Sequence, residues 1–316
     1  MKSLSESKFK DLYLGEAFAD VTGLSESNTV RTEAPREWEA DITLLRARCV
    51  EARRAFDTPE FSIDINGVLH RVTHVPSLNP FGVYILRRSE LRVRDASETC
   101  VPDYVIKAAT AETTKGLILV VGEPGVGKTT TAISLTIHRL KTHGGFALGI
   151  EDPIETMSDG VHGMGRMISV PANRLKGGYT EQLLLALRSG PDFIFLGEIR
   201  DSDTTLEVLQ ASMNGFPIYS TFHAPSIETA LEKICSKVRA KEPNAASILA
   251  ESLAVIIFQE KEAEISGGVT KYRINAKCLI LTGDDNAGIR AKIRAGNFAS
   301  IAEDIDRQRT IEAYKD

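Results

Sequence analysis

The 316 residues carry 38 basic and 43 acidic side chains, a formal net charge of −5, with 42% hydrophobic and 26% charged residues. That composition predicts a soluble globular protein, long enough for two ordinary domains or one large one. No apolar run approaches the ~20 residues of a membrane span, and the opening MKSLSESKFKDLYL has no apolar stretch, which excludes a spanning helix and a secretory signal at this level. Cys49, Cys100, Cys235 and Cys278 form no CxxC pair, so a paired-cysteine zinc site is excluded and free thiols are expected. The mild acidity argues against a nucleic-acid partner, although Arg87, Arg88, Arg92 and Arg94 cluster in one segment.

Residues 1–36 are rich in Ser, Thr, Asp and Glu and contain one short strand, Asp11–Leu14. From Glu37 to Phe56, Trp38, Ile42, Leu45 and Cys49 recur at helical spacing and predict an amphipathic helix. Phe61, Ile63 and Ile65 then alternate with polar residues, Asn66-Gly67 follows, and Val68–Val75 returns. Alternation around an Asn-Gly pair predicts a hairpin. Phe81–Leu86 reads as a third strand, so residues 1–95 are expected to form a small antiparallel sheet with a helix, and 96–115 a connection.

The pattern changes at residue 116. Short apolar strands (Leu117–Val121, Phe146–Ile150, Phe193–Leu196, Ile218–Thr221) alternate with helical stretches (Thr129–Leu140, Thr180–Arg188, Asp203–Met213). This alternation predicts an α/β domain over 116–316, a parallel sheet with helices on its faces.

Gly122, Glu123, Pro124, Gly125, Val126, Gly127, Lys128 and Thr129 fit GxxxxGK[ST], after an apolar strand and before a helical pattern that Thr130 continues. Glycines let the backbone wrap phosphates, and the helix start offers N–H groups and the positive dipole end. Lys128 is expected on the β/γ-phosphates and the Thr129 hydroxyl on Mg²⁺. Nucleoside triphosphate binding is the prediction.

Three further strand ends carry chemistry. Phe193–Leu196 leads into Gly197-Glu198-Ile199-Arg200-Asp201, setting Glu198 at the carboxyl edge of a buried strand, where a phosphate-bound Mg²⁺ would sit. Phe146–Ile150 leads into Glu151-Asp152-Pro153-Ile154-Glu155, whose carboxylates could polarise a water for hydrolysis or a substrate hydroxyl for phosphoryl transfer. Ser220-Thr221-Phe222-His223 ends the next strand, where His223 could sense a γ-phosphate or serve structure alone.

These four motifs, in this order, resemble those of the type II/type IV secretion and pilus-motor ATPases, especially the short pilus retraction ATPases. Gly122–Thr129 looks like their Walker A and Glu151–Glu155 like their aspartate box. Leu196–Asp201 resembles their Walker B with Glu for Asp, and Thr221–His223 their histidine box. Phe61–Val72 with Phe81–Arg88 is similar to strands of the family's PAS-like N-terminal domain. The resemblance implies a RecA-like P-loop core preceded by a small PAS-like α+β domain, ATP and Mg²⁺ as cofactors, and a homohexamer. It also implies a cytoplasmic location, peripheral at the inner face of the bacterial inner membrane, with platform or secretion-machine proteins as partners. By the same resemblance Glu155 is the catalytic carboxylate, Glu198 the Mg²⁺-side carboxylate and His223 the link between nucleotide state and domain position. Arg71, Arg87 and Arg88 fall where the family's N-terminal arginines reach an ATP.

Two departures stand out. The family's basic loop is replaced by the Gly/Met-rich segment Asp159–Lys176, and the retraction ATPases' AIRNLI-like motif survives only as Gly288-Ile289-Arg290-Ala291-Lys292-Ile293. Length and cysteine spacing predict neither the extra N-terminal domains nor the four-cysteine zinc motif of the larger assembly ATPases. Conjugation or effector-secretion ATPases share every motif. A DNA-translocating ATPase would need a basic channel, which a charge of −5 supports poorly. A small-molecule kinase would need lid arginines, which the segment after Asp152 hardly supplies.

Overall fold

A computed structural model describes residues 4, 7, 9–24, 30–89, 93–266, 269–283 and 286–313, with the side chains of 264–271 and 312–313 left aside; Arg92 lies outside the described residues. The chain divides into two compact units. One comprises 1–92, 151–157 and 170–178, and the other 93–150, 158–169 and 179–316.

In the first unit, β1 (Asp11–Leu14), β2 (Ala19–Thr22), β3 (Thr32–Glu33), α1 (Glu39–Phe56), β4 (Glu60–Ile65), β5 (Val68–Val75) and β6 (Val83–Arg88) follow in chain order. The strands form an antiparallel sheet in the order β3-β2-β1-β6-β5-β4. The predicted alternation is realised: Phe61, Ile63 and Ile65 are buried with Val72 and Leu86, and Trp38, just before α1, fills the same core with Ile42, Leu45 and Cys49 of the helix. Burial in that core pushes the Cys49 thiol up to about 12, so it stays protonated. Asn66 and Gly67 both take positive φ, 51° and 80°, as a two-residue hairpin turn needs. The strand expected at 81–86 runs instead over Val83–Arg88, because Gly82 sits in a turn at φ 66°.

Residues 151–157 and 170–178 are tied to each other and to the rest of this unit by hydrogen bonds. Ala172 donates its N–H to the Glu151 carbonyl at 2.7 Å, Arg174 Nε reaches Asp152 Oδ2 at 2.8 Å, and Asn173 Nδ2 donates to the Phe56 carbonyl at 2.8 Å.

The second unit continues with α2 (Asp103–Thr110), β7 (Leu117–Gly122), α3 (Lys128–His143), β8 (Gly145–Glu151), β9 (Gly160–His162), β10 (Gly165–Pro171), α4 (Gly178–Arg188), β11 (Phe193–Leu196), α5 (Ser202–Met213), β12 (Ile218–Phe222), α6 (Ile227–Val238), α7 (Ala245–Ser252), β13 (Leu253–Ser266), β14 (Val269–Ile280), α8 (Ala287–Arg294) and α9 (Ile301–Ala313). The sheet order is β14-β13-β7-β12-β11-β8-β10-β9. β13, β7, β12, β11 and β8 run parallel at its centre. Such strands are covered on both faces, which is why β7, β11 and β12 are buried along their whole length and read as unbroken apolar runs.

The Gly/Met-rich segment is no loop. It folds back as the β9–β10 hairpin and extends the sheet beyond β8. Arg290, from the partial C-terminal motif, is spent inside the fold, donating to the carbonyls of Ala250, Leu253 and Leu281. Among the described residues no helix is long and apolar enough to cross a membrane.

Candidate functional site

The carboxyl end of β7 turns directly into α3 through residues 123–127. Glycine is required at the first step: a Cβ on Gly122, at φ 155°, would lie 2.4 Å from the Gln259 carbonyl oxygen of β13. Gly125 (φ 79°) and Gly127 (φ 87°) take the left-handed conformation that lets the backbone curl. Gly127 caps α3 with no side-chain acceptor, so the first-turn N–H groups keep their capacity for an anion in a helix end that already favours negative charge.

Lys128, the first residue of α3, is buried yet satisfied. Its ammonium donates to the Glu123 carbonyl at 2.9 Å and meets Nδ1 of His223 at 3.2 Å. Burial pulls its pKa down, and the carboxylates of Glu198 and Glu123 oppose that pull. Glu198, just past β11, sets Oε1 3.2 Å from His223 Nε2 and accepts from Arg200 Nε on Oε2 at 2.9 Å. A lysine facing Nδ1 requires that nitrogen to accept, which leaves the proton of a neutral His223 on Nε2, the nitrogen nearer Glu198. The three predicted residues thus form one line, Lys128–His223–Glu198. Thr221 Oγ1 ties the strand ends beneath them by donating to the Gly197 carbonyl at 2.6 Å. Thr129 and Thr130 are half-buried on the first turn of α3.

Among the described residues there is no cluster of three or more His, Cys, Asp or Glu that could hold a metal ion alone. A divalent cation here would take one or two protein oxygens and complete its shell with phosphates and water. Magnesium binds in this way, and Thr129 and Glu198 fit it. An open 350 Å³ cavity lies beside the loop, lined by Thr99, Cys100, Val126, Thr130 and Ile274 among others.

The remaining predicted residues belong to the first unit. Glu151 ends β8 almost fully buried, accepting from Thr156 Oγ1 at 2.8 Å and from the Glu155 N–H at 3.3 Å. Burial, with Glu155 nearby, pushes its carboxyl up to about 7 against those hydrogen bonds. Glu155 itself is about a third exposed and pairs with Arg71 Nη1 at 2.8 Å. Arg87 is turned the other way: its guanidinium grips the buried Asp11 carboxylate at 2.7 and 3.3 Å, which raises the arginine's own pKa further. Arg88 donates to the Ser7 carbonyl at 3.2 Å.

Sequence reasoning left out Arg200 as a partner of Glu198, the Glu123 carbonyl as an anchor of Lys128, and the lining of the neighbouring cavity. For Arg200 a signal existed, since a side chain two residues beyond a strand-end carboxylate falls on the same side. The other two have none.

A family model described as Type II/IV secretion system protein matches residues 40–264. The type IV pilus retraction ATPase PilT of Pseudomonas aeruginosa is 34% identical over 155 residues, 49% of this chain and 44% of that protein. The twitching motility protein of Neisseria gonorrhoeae is 30% identical over 194 residues, 60% of this chain and 49% of that one. Competence protein ComGA of Streptococcus pneumoniae is 38% identical over 121 residues, 38% and 36% of the two chains. The chain thus spans less than half the length of these relatives. Among solved structures, the pilus retraction motor PilT with bound ADP covers 95% of this chain and 86% of its own at TM-score 0.71 and 23% identity. The Legionella pneumophila ATPase DotB covers 93% and 84% at TM-score 0.70 and 16% identity. These structural likenesses bear out the predicted α/β fold.

Proposed function

The chain belongs to the Type II/IV secretion system protein family, and on that premise we propose that it is a Mg²⁺-dependent ATPase driving a type IV pilus or secretion machine, in the manner of the pilus retraction motors. The observation that carries the reading is the line Lys128–His223–Glu198 at the foot of α3, which gathers a cation, a proton carrier and a carboxylate where the glycine loop exposes its N–H groups.

In this reading residues 122–130 hold the triphosphate, with Lys128 exchanging the Glu123 carbonyl for phosphate oxygens. Mg²⁺, held by Thr129 and Glu198, would neutralise charge on the β- and γ-oxygens. Glu155 supplies the carboxylate that orients the attacking water. His223 joins Lys128 to Glu198, so a change in the charge facing the lysine is passed to the carboxylate. Of the first unit's arginines, Arg71 is the one paired with a site carboxylate, whereas Arg87 is engaged by Asp11.

The domain roles, assembly and location are carried by the motif resemblance. Residues 1–95 act as a PAS-like module and 116–316 as the motor, with 96–115 as the connection, whose helix α2 belongs to the second unit. The working form is a homohexamer, cytoplasmic and peripheral at the inner membrane, docked on a platform protein. Phosphate release at several Mg²⁺ concentrations tests the division of labour. Glu155→Gln is expected to bind Mg·ATP with wild-type affinity and to turn over ~10²-fold or more slowly, whereas Glu198→Gln shifts the Mg²⁺ requirement upward. Wild-type turnover by Glu155→Gln would move the base elsewhere. An unchanged Mg²⁺ requirement in Glu198→Gln would remove that residue from the cation.

A further inference from the structure

Residue 155 is held at every polar group of its backbone and at one carboxylate oxygen. Its N–H donates to Glu151 Oε2 at 3.3 Å, its carbonyl accepts from Ser89 Oγ at 2.5 Å, and its Oε1 accepts from Arg71 Nη1 at 2.8 Å. The residue before it is held as well, since Ser62 Oγ donates to the Ile154 carbonyl. Ser62 and Arg71 are cross-strand partners in the β4–β5 register, so one rung of the antiparallel sheet grips two successive residues of the 151–157 segment.

Arg87, directly opposite Arg71 on β6, would repel it if both pointed at one anion. It engages Asp11 instead, its partner in the β1–β6 register. Glu60 Oε1 lies 3.9 Å from Arg71 Nη2 and adds a second carboxylate on the other side of the guanidinium. Among the described residues no side chain takes Glu155 Oε2, which keeps its lone pairs for a water.

We infer that Arg71 is a positioning residue for Glu155 of its own chain, fixing Oε1 so that Oε2 is aimed, and that it does not act as a cation delivered to the nucleotide of a neighbouring copy. The inference rests on Glu155 serving hydrolysis, as proposed above. A pair this exposed, 40% and 37%, contributes little to folding, so loss of Arg71 should act on orientation and leave stability nearly alone. A charge-assisted hydrogen bond on one oxygen is well suited to that task.

The experiment is a double-variant cycle read by steady-state ATP turnover of the full chain. Arg71→Ala should lower kcat ~10- to 100-fold, the scale of a misplaced catalytic group, with KM for ATP and the melting temperature unchanged. Arg71→Lys should recover part of the loss. Arg71→Ala combined with Glu155→Gln should be no slower than Glu155→Gln alone. Mixed oligomers, co-expressed with two tags and purified through both, separate the two geometries. If Arg71 serves its own chain, mixing Arg71→Ala with Glu155→Gln subunits restores nothing. Recovery on mixing, additive losses in the double variant, or faster turnover in Arg71→Ala would overturn the inference while leaving Glu155 in place. Wild-type turnover by Glu155→Gln alone would instead end the assignment of the carboxylate, and the inference with it.

Discussion

Glu151 is a carboxylate that the fold would hold more cheaply as an amide. Its carboxyl stands at about 7 in the folded chain against 4.5 in the absence of burial. Between those values the folded chain binds more protons than the unfolded one, so stability falls as pH rises through the window and levels off above about 7. A difference of about 2.5 pKa units corresponds to ~3 kcal/mol lost by pH 8. Glu151→Gln removes that loss. The glutamine oxygen still accepts from Thr156 Oγ1, but its NH₂ now faces the Glu155 N–H, and one forfeited hydrogen bond costs ~1 kcal/mol. The variant should therefore be ~2 kcal/mol more stable than wild type at pH 8 and equal or slightly less stable at pH 4.5. The chain's one tryptophan, Trp38, is buried in the core of the same unit, so its fluorescence during urea unfolding reads the right transition. A variant less stable than wild type at pH 8, or a difference that does not move with pH, would show that Glu151 is ionised and paired at neutrality and would refute the reasoning.

Gly122→Ala should cost ~3 kcal/mol or more in thermal melts, because its Cβ meets a backbone oxygen that cannot step aside, whereas Gly67→Ala, also at positive φ but with nothing within 4 Å, should cost only ~1 kcal/mol. Arg87→Ala leaves the buried Asp11 carboxylate without its guanidinium and should lower stability by ~1–3 kcal/mol while folded protein keeps wild-type ATP turnover; a variant that melts like wild type but turns over slowly would give Arg87 the role withheld from it here.

The parallel strands and the phosphate loop were legible because burial on both faces writes itself as an apolar run, and because Gly122, Gly125 and Gly127 have few substitutes at their backbone angles. The β4–β5 hairpin was legible for the same local reason, an alternation closed by Asn66-Gly67. The β9–β10 hairpin was not. Its inward position Met167 is flanked by the exposed Arg166 and Ile168, Val161 and Met164 point outward, and Gly160, Gly163 and Gly165 interrupt any period. β2 and β3 are too short and polar to register. At the site, motif spacing brought Lys128, Glu198 and His223 to one sheet edge, but their alignment depends on contacts between residues up to 95 positions apart. The grip on Glu155 depends on Ser62, Arg71 and Ser89, which form no motif. Nothing local marks Asp11 as the partner of Arg87, 76 residues away.

The central claim is that the loop from Gly122 to Thr130 binds a nucleoside triphosphate whose hydrolysis is the chain's activity, and Lys128→Ala tests it most directly. Phosphate release from Mg·ATP should be easily measured for the wild-type chain and absent for the variant, with both giving the same circular dichroism spectrum, because the loop loses its one buried cation. Near-wild-type release by a folded Lys128→Ala, or no release by the wild-type chain over a wide range of protein concentration, would contradict the account.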